Sequence, residues 1–348
     1  MTSLRRFAIL AEGRFGPLES KTANQAIRYV PSEVVAVIDS TKAGRTSDDV
    51  LGFGGAIPVC ADLDSARRYS PTALLIGIAP MGGILPTEWR PVLLEAIGAG
   101  LDLVSGLHTR LNEDMELSRA ARARGVRLHD LRRVAPEYLC VARGSWRMRT
   151  SKTILTVGTD CNVGKMTASL ELHREFARRG LSSSFVATGQ TGILLSGAGV
   201  AVDSVLSDYV AGAIEHELDR VEAEGRRYLH VEGQGSITHQ GYSGVTLGLL
   251  HGVMPDAMVL VHHPVRHRDD YGHPLDDVVR AIGLYEALLA PFKASRVVAV
   301  AVNGIAMAPA EASRAKAALE EATRLPAVDV LADGPGRIAD ALVAFFGD

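Results

Sequence analysis

The residues with the clearest chemistry lie at 158–167, reading GTDCNVGKMT. Glycines let backbone N–H groups turn inward toward an anion, and a helix that follows offers the positive end of its dipole. Lys165 adds a point charge. The chain has six lysines against 31 arginines, so a lysine here stands out from composition. Gly158, Thr159, Asp160, Cys161, Asn162, Val163, Gly164, Lys165, Met166 and Thr167 are therefore expected to form a phosphate cradle. The stretch departs from the usual P-loop twice. Five residues separate Gly158 from Gly164, where four are usual. Met166 follows the lysine, where a Ser or Thr ordinarily ligates magnesium, and the first hydroxyl is Thr167. A thioether is a poor ligand for a hard cation. The pattern thus supports phosphate binding more directly than magnesium–nucleotide chemistry.

Further candidates stand where short apolar runs end. The run at 228–231 leads into Glu232-Gly233-Gln234-Gly235-Ser236, and Glu232 is expected as the acid near the metal or water at the phosphates. Asn303 follows the run at 296–302, at a position suited to reading a base. Asp203 is expected to open a helix, as a second acid or as its N-cap. The segment 262–273, HHPVRHRDDYGH, holds His262, His263, His267 and His273 with Asp269 and Asp270. No pair there has the i, i+4 helical spacing with the glutamate of a zinc protease, and Pro264 and Gly272 imply irregular backbone, so no metal is assigned. Arg266 and Arg268 offer guanidinium forks that match carboxylates. In the first half, Asp39, Gly82-Gly83 and His108 also follow apolar runs; helix caps, plain turns and ordinary packing account for them as readily as ligand binding does.

Elements that position these residues alternate along the whole chain. Short apolar, β-branched runs predict strands at 7–10, 34–38, 73–78, 101–104 and 126–128, with helices at 22–29, 88–99 and 112–124 between them. A second series predicts strands at 153–157, 184–188, 228–231, 257–261, 296–302 and 328–331. Helices are expected there at 166–179, 203–222, 243–251, 275–290, 309–323 and 337–346, with a glycine-rich loop at 189–199. Alternation of this kind implies parallel sheets covered by helices. The fold expected is α/β: a Rossmann-like domain over 1–145, then a P-loop NTPase-like domain over 146–348, joined by a basic connector at 143–149. The first half lacks a full dinucleotide fingerprint, since its first turn, AEGRFGP, has only two spaced glycines.

Composition narrows the function classes. Hydrophobic residues make up 47% and charged residues 22% of the 348 residues, as in ordinary globular proteins. A formal net charge of −3 gives no general attraction to nucleic acid or acidic membranes. No apolar stretch reaches the roughly 20 residues of a membrane span. Cys60, Cys140 and Cys161 form no CxxC pair and leave an odd thiol, which suits a reducing cytoplasm. The expected partner is a small-molecule substrate, with no nucleic acid and no membrane, in a cytoplasmic homo-oligomer.

GTDCNVGK together with VEGQGS at 231–236 resembles the dethiobiotin synthetase branch of P-loop proteins. With YSGVTLGLLHG at 242–252 and HHPVR at 262–266, the whole chain resembles the DgcN-type D-glutamate N-acetyltransferase family, long catalogued as a domain of unknown function. That resemblance implies acetyl transfer from acetyl-CoA to the amine of a D-amino acid, with coenzyme A held by its phosphates on the loop and with Asn303 among the cofactor-binding residues. It also implies a base near the loop, for which Glu232 is the first choice, with Asp203 and His263 behind it. Gln234, Ser236 and Arg266 are expected at the substrate. The alternative carried by the dethiobiotin synthetase likeness is an ATP- and magnesium-dependent ligase or kinase.

Overall fold

The structure is a computed structural model and describes residues 5–78 and 81–347. The chain divides into two compact units, Met1–Arg133 and Val134–Asp348. The first contains six parallel strands: β1 (Phe7–Leu10), β2 (Val34–Ile38), β3 (Val59–Cys60), β4 (Ala73–Ile76), β5 (Asp102–Ser105) and β6 (Leu128–Asp130). Their order is β3-β2-β1-β4-β5-β6, the Rossmann order. The second unit contains β7 (Lys152–Gly158), β8 (Ser183–Val186), β9 (Tyr228–Val231), β10 (Ala257–His262), β11 (Arg296–Val302) and β12 (Ala327–Val328). They pair in parallel in the order β12-β11-β10-β7-β9-β8.

The second sheet is apolar on both faces because its strands alternate between two cores. Leu155 and Val157 of β7 and Met258 and Leu260 of β10 join one cluster, with helices Val210–Glu222, Ser243–Val253 and Val278–Leu289. Ile154 of β7 and Val259 and Val261 of β10 join the other, with Leu172 and Phe176 of helix Lys165–Arg178 and Ile338 and Leu342 of helix Gly336–Phe346. Each such side chain contributes roughly 1.5–3 kcal/mol on burial. This burial fixes the register that places every strand's C-terminal end on one edge. Among the described residues, no helix is long and apolar enough to cross a membrane.

The unit boundary falls before the 145/146 division read from sequence. The segment expected as a connector belongs to the second unit. Glu215 accepts the N–H groups of Arg143, Gly144 and Ser145 at 2.6–3.0 Å, Tyr138 donates to Glu217, and Arg149 pairs with Asp219. A Cβ on Gly212 would lie 1.8 Å from the Cys140 carbonyl oxygen, so helix and segment approach backbone to backbone. Other differences are local. β3 has two residues and too little length to show alternation. The expected glycine loop at 189–199 contains a helix, Gln190–Ser196, ended by Gly197. The helix expected from Asp203 begins only at Val210. Of the turn at 80–83, Pro80 lies outside the described residues.

Candidate functional site

Parallel pairing brings four strand ends together. Gly158 of β7 is in register with Val261 of β10, Leu155 with Val231 of β9, and His262 with Val302 of β11. The phosphate loop therefore emerges between the exits of β9 and β10. Such a crevice at the carboxyl edge of an open sheet is where α/β proteins bind ligands.

The loop is shaped for an anion. Gly164 has φ +110° and ends the loop at the start of helix Lys165–Arg178, whose N-terminus has no side-chain cap. The first-turn N–H groups of a helix have no partners within it, and they point out of its end. Lys165 is buried and donates from Nζ to the Asp160 carbonyl at 2.7 Å. Its side chain runs past Gly233, where a Cβ would meet Lys165 Cδ at 3.1 Å and the Thr156 carbonyl oxygen at 1.7 Å. Only glycine permits that approach. Thr156 accepts the Gly233 N–H at 3.0 Å, tying the β9 exit to β7. Tyr285, fully buried, donates to the Gly158 carbonyl at 2.9 Å and accepts from the Ile237 N–H at 3.1 Å. Burial pushes its phenol above the usual range, which keeps the donor protonated. His262 bonds Thr159 at 3.0 Å through Nδ1, and burial pushes this imidazole down to about 4.

A family described as a domain of unknown function (DUF1611_C), P-loop domain, matches residues 140–339, and its companion, a DUF1611_N Rossmann-like domain, matches residues 40–134. The chain belongs to the DUF1611 family. It is 40% identical over 286 residues to a D-glutamate N-acetyltransferase of Tritonibacter scottomollicae, covering 81% of this chain and 84% of the relative. It is 36% identical over 289 residues to a protein of the same name from a Pseudoalteromonas species, covering 82% and 84%. A crystal structure of a DUF1611 family protein from Anabaena variabilis ATCC 29413 superposes with a TM-score of 0.93 at 36% identity, over 98% of this chain and 99% of that one. Relatives this similar with N-acetyltransferase names support an acyltransferase.

Within this DUF1611 chain the expected site residues separate into groups. Glu232 lies at the loop's edge, buried, but its Oε2 accepts the N–H groups of Thr188 and Gly189 at 3.0 and 3.2 Å. A Cβ on Gly192 would come within 2.3 Å of the same oxygen. Glu232 therefore anchors the 188–192 turn. Gln234 donates to Thr188 Oγ1 at 3.2 Å and serves the same turn. Ser236 is fully buried and bonds Thr238 at 3.1 Å. Asn303 donates to the Val163 carbonyl at 3.1 Å and accepts from the Ile305 N–H, so its amide holds the loop. Met166 is buried behind the loop and Thr167 is half-buried. Asp203 is exposed in the turn Val202–Ser204, a correction to its expected place at a helix start. His263 is half-buried with Nδ1 unpartnered, and burial lowers its pKa.

Arg266 does not present an open fork. Its Nε donates to Asp160 Oδ2 at 2.6 Å and its Nη2 to Asp270 at 2.7 Å. Beside this pair lies a cavity of about 210 Å³, lined by Thr159, Asp160, Thr238, His239, Gln240 and residues of 269–276. None of Glu232, Asp203 or His263 lines it. His239 was not singled out by the sequence, because THQGY has no spacing signal; Tyr285 and Thr156 were missed because each reads as an ordinary core position. In the first unit, Asp39 accepts the Phe15 and Thr41 N–H groups and both Thr41 and Lys42 side chains. Burial alone would raise its pKa, but these donors outweigh it and hold the carboxyl below the usual range. Asp39 thus closes turns. His108 is exposed, and its N–H donates to Gly83.

Proposed function

We propose that this protein transfers an acetyl group from acetyl-CoA to the amine of a D-amino acid, D-glutamate first. The observation that carries the reading is the phosphate cradle in which a buried Met166 takes the place of the magnesium-binding hydroxyl. Such a cradle can hold a carrier's phosphates without cleaving them. The names of two relatives that align with four-fifths of the chain supply the reaction class. Gly164, Lys165 and the first turn of helix Lys165–Arg178 would hold coenzyme A phosphates, and Asn303, Tyr285 and His262 would keep the loop in shape. The thioester supplies an activated acyl carbon, and the protein has to present a deprotonated amine to it.

Purified protein is given acetyl-CoA with D-glutamate and free thiol is followed, then Mg-ATP and phosphate is followed. Thiol release that requires the D-amino acid is the expected result. Phosphate release without thiol release would overturn the reading in favour of an ATP- and magnesium-dependent ligase or kinase. Lys165→Ala should weaken coenzyme A binding about tenfold or more, the usual effect of losing a charge-assisted bond; unchanged affinity counts against the loop as the carrier's site.

A further inference from the structure

Two buried polar atoms beside the phosphate loop have no hydrogen-bond partner: Asp160 Oδ1 and His239 Nε2. Asp160 is 0% and His239 3% exposed, and both residues line the 210 Å³ cavity. A carboxylate oxygen of Asp160 and a ring nitrogen of His239 lie within 4.8 Å of each other. Buried polar groups are nearly always paired, so two orphans on residues of one cavity wall point to a ligand that pairs with both.

The character of each atom identifies that ligand. Asp160 Oδ2 is taken by Arg266, so Oδ1 remains as an unpaired acceptor in a residue of the cavity wall. His239 Nδ1 accepts the Gly241 N–H at 3.1 Å. A neutral imidazole with an accepting Nδ1 carries its proton on Nε2, which makes Nε2–H a donor. The nearest carboxylate oxygen to it, Asp269 Oδ2, stands 3.9 Å away, beyond hydrogen-bond reach. That tautomer also disfavours a metal on Nε2, although Cys161 Sγ completes a ligand-like triad with these groups. The ring is held between Tyr242 and Tyr271, at centroid distances of 4.8 and 5.7 Å. The remaining acids of the lining are already engaged: Asp269 by the Tyr271 and His273 N–H groups, Asp276 by Arg280. One acceptor and one donor are therefore left unpaired on neighbouring residues of a cavity of amino-acid size. An α-amino acid carries the complement, an ammonium and a carboxylate on one carbon.

Resting on the acetyltransferase reading, we propose that this cavity is the acceptor subsite: Asp160 Oδ1 receives the α-ammonium and one of its protons, and His239 Nε2–H holds the α-carboxylate. The freed amine attacks the thioester carbonyl. The C–N bond forms, the C–S bond breaks, and the departing thiolate takes the second proton lost by nitrogen. Asp160 afterwards returns its proton to solvent. Because Asp160 belongs to the phosphate loop, the thioester end of the donor must fold back toward its own phosphates.

Calorimetric titration of the full-length chain with D-glutamate, with glutarate and with coenzyme A tests the subsite without turnover. Asp160→Asn and His239→Asn should each weaken D-glutamate binding about ten- to a hundredfold, the range for hydrogen bonds to charged groups. In His239→Asn the coenzyme A affinity should move less than about twofold, and an unchanged circular dichroism spectrum certifies the folding of both variants. Glutarate lacks the ammonium, so its affinity should be insensitive to Asp160→Asn. Wild-type affinity for D-glutamate in Asp160→Asn, an equal loss for glutarate, or stoichiometric zinc in the purified protein would each overturn the subsite. Failure of the wild-type chain to release thiol from acetyl-CoA with any D-amino acid would instead sink the parent reading, while leaving the binding result to stand by itself.

Discussion

His230 offers a quantitative test of the second core. It sits in β9 with 0% exposure, and neither ring nitrogen has a hydrogen-bond partner. Its ring meets Phe176 edge-on at 4.5 Å and His173 at 6.2 Å. Burial pushes its pKa down to about 3, and the neighbouring His173 acts in the same direction. In the unfolded chain the value returns to about 6.5. The folded state therefore binds fewer protons than the unfolded state between these values. Stability is intact above pH 6.5, falls as pH drops below it, and stops falling below about 3. At pH 5 the loss relative to pH 7.5 is about 2 kcal/mol, and the full excursion is about 5 kcal/mol. His230→Leu removes the titration without breaking a hydrogen bond. Urea unfolding of both proteins at pH 7.5, 6.5, 5.5 and 5.0 reads the difference. The His230→Leu variant should gain about 2 kcal/mol on wild type across that range. Parallel stability curves would refute the claim that His230 is buried and neutral.

Two further substitutions probe how the loop is held. Tyr285→Phe leaves the Gly158 carbonyl and the Ile237 N–H without their buried partner and should cost about 2–4 kcal/mol, read as a fall in Tm; an unchanged Tm would mean the phenol bridge is not formed. Gly233→Ala forces a Cβ to within 1.7 Å of the Thr156 carbonyl oxygen, so the β9 exit has to move away from Lys165. Coenzyme A binding should fall at least about tenfold in whatever folded protein is obtained, since a displaced lysine loses a charge-assisted contact; wild-type affinity would show that the β9 exit does not shape the cradle.

Much of the architecture was legible because it rests on periodicity. Strands such as 34–38 and 296–302 coincide with the observed elements, since their largely apolar, β-branched runs are long enough to be buried on both faces. Boundaries failed where local chemistry overrode the pattern. Gln190–Ser196 is helical despite the glycines around it, because Gly192 is wanted for room beside Glu232 rather than for a turn. The loop was legible because glycine, lysine and helix must be contiguous in sequence. The cavity was not, because Asp160, His239 and Arg266 converge from three separate strand exits. Arg266 illustrates the limit of residue type as a guide: its fork does meet carboxylates, but they are Asp160 and Asp270 of the same chain.

Hydrogen bonding separates the two carboxylates that stand at the strand ends. Glu232 and Asp160 are both buried, and residue type alone makes either a candidate base. Glu232 receives two backbone N–H groups on one oxygen, an arrangement that favours the anion and holds a turn. Asp160 receives one guanidinium on Oδ2 and leaves Oδ1 bare. A bare buried acceptor costs a fold roughly 1–3 kcal/mol, and Arg266 fixes the carboxylate so that it cannot rotate the cost away. Strain of this kind is retained where a partner arrives in the working state. Glu232 holds the 188–192 turn through one oxygen, and in the proposed subsite the incomplete carboxylate of Asp160 would be the one that takes the ammonium.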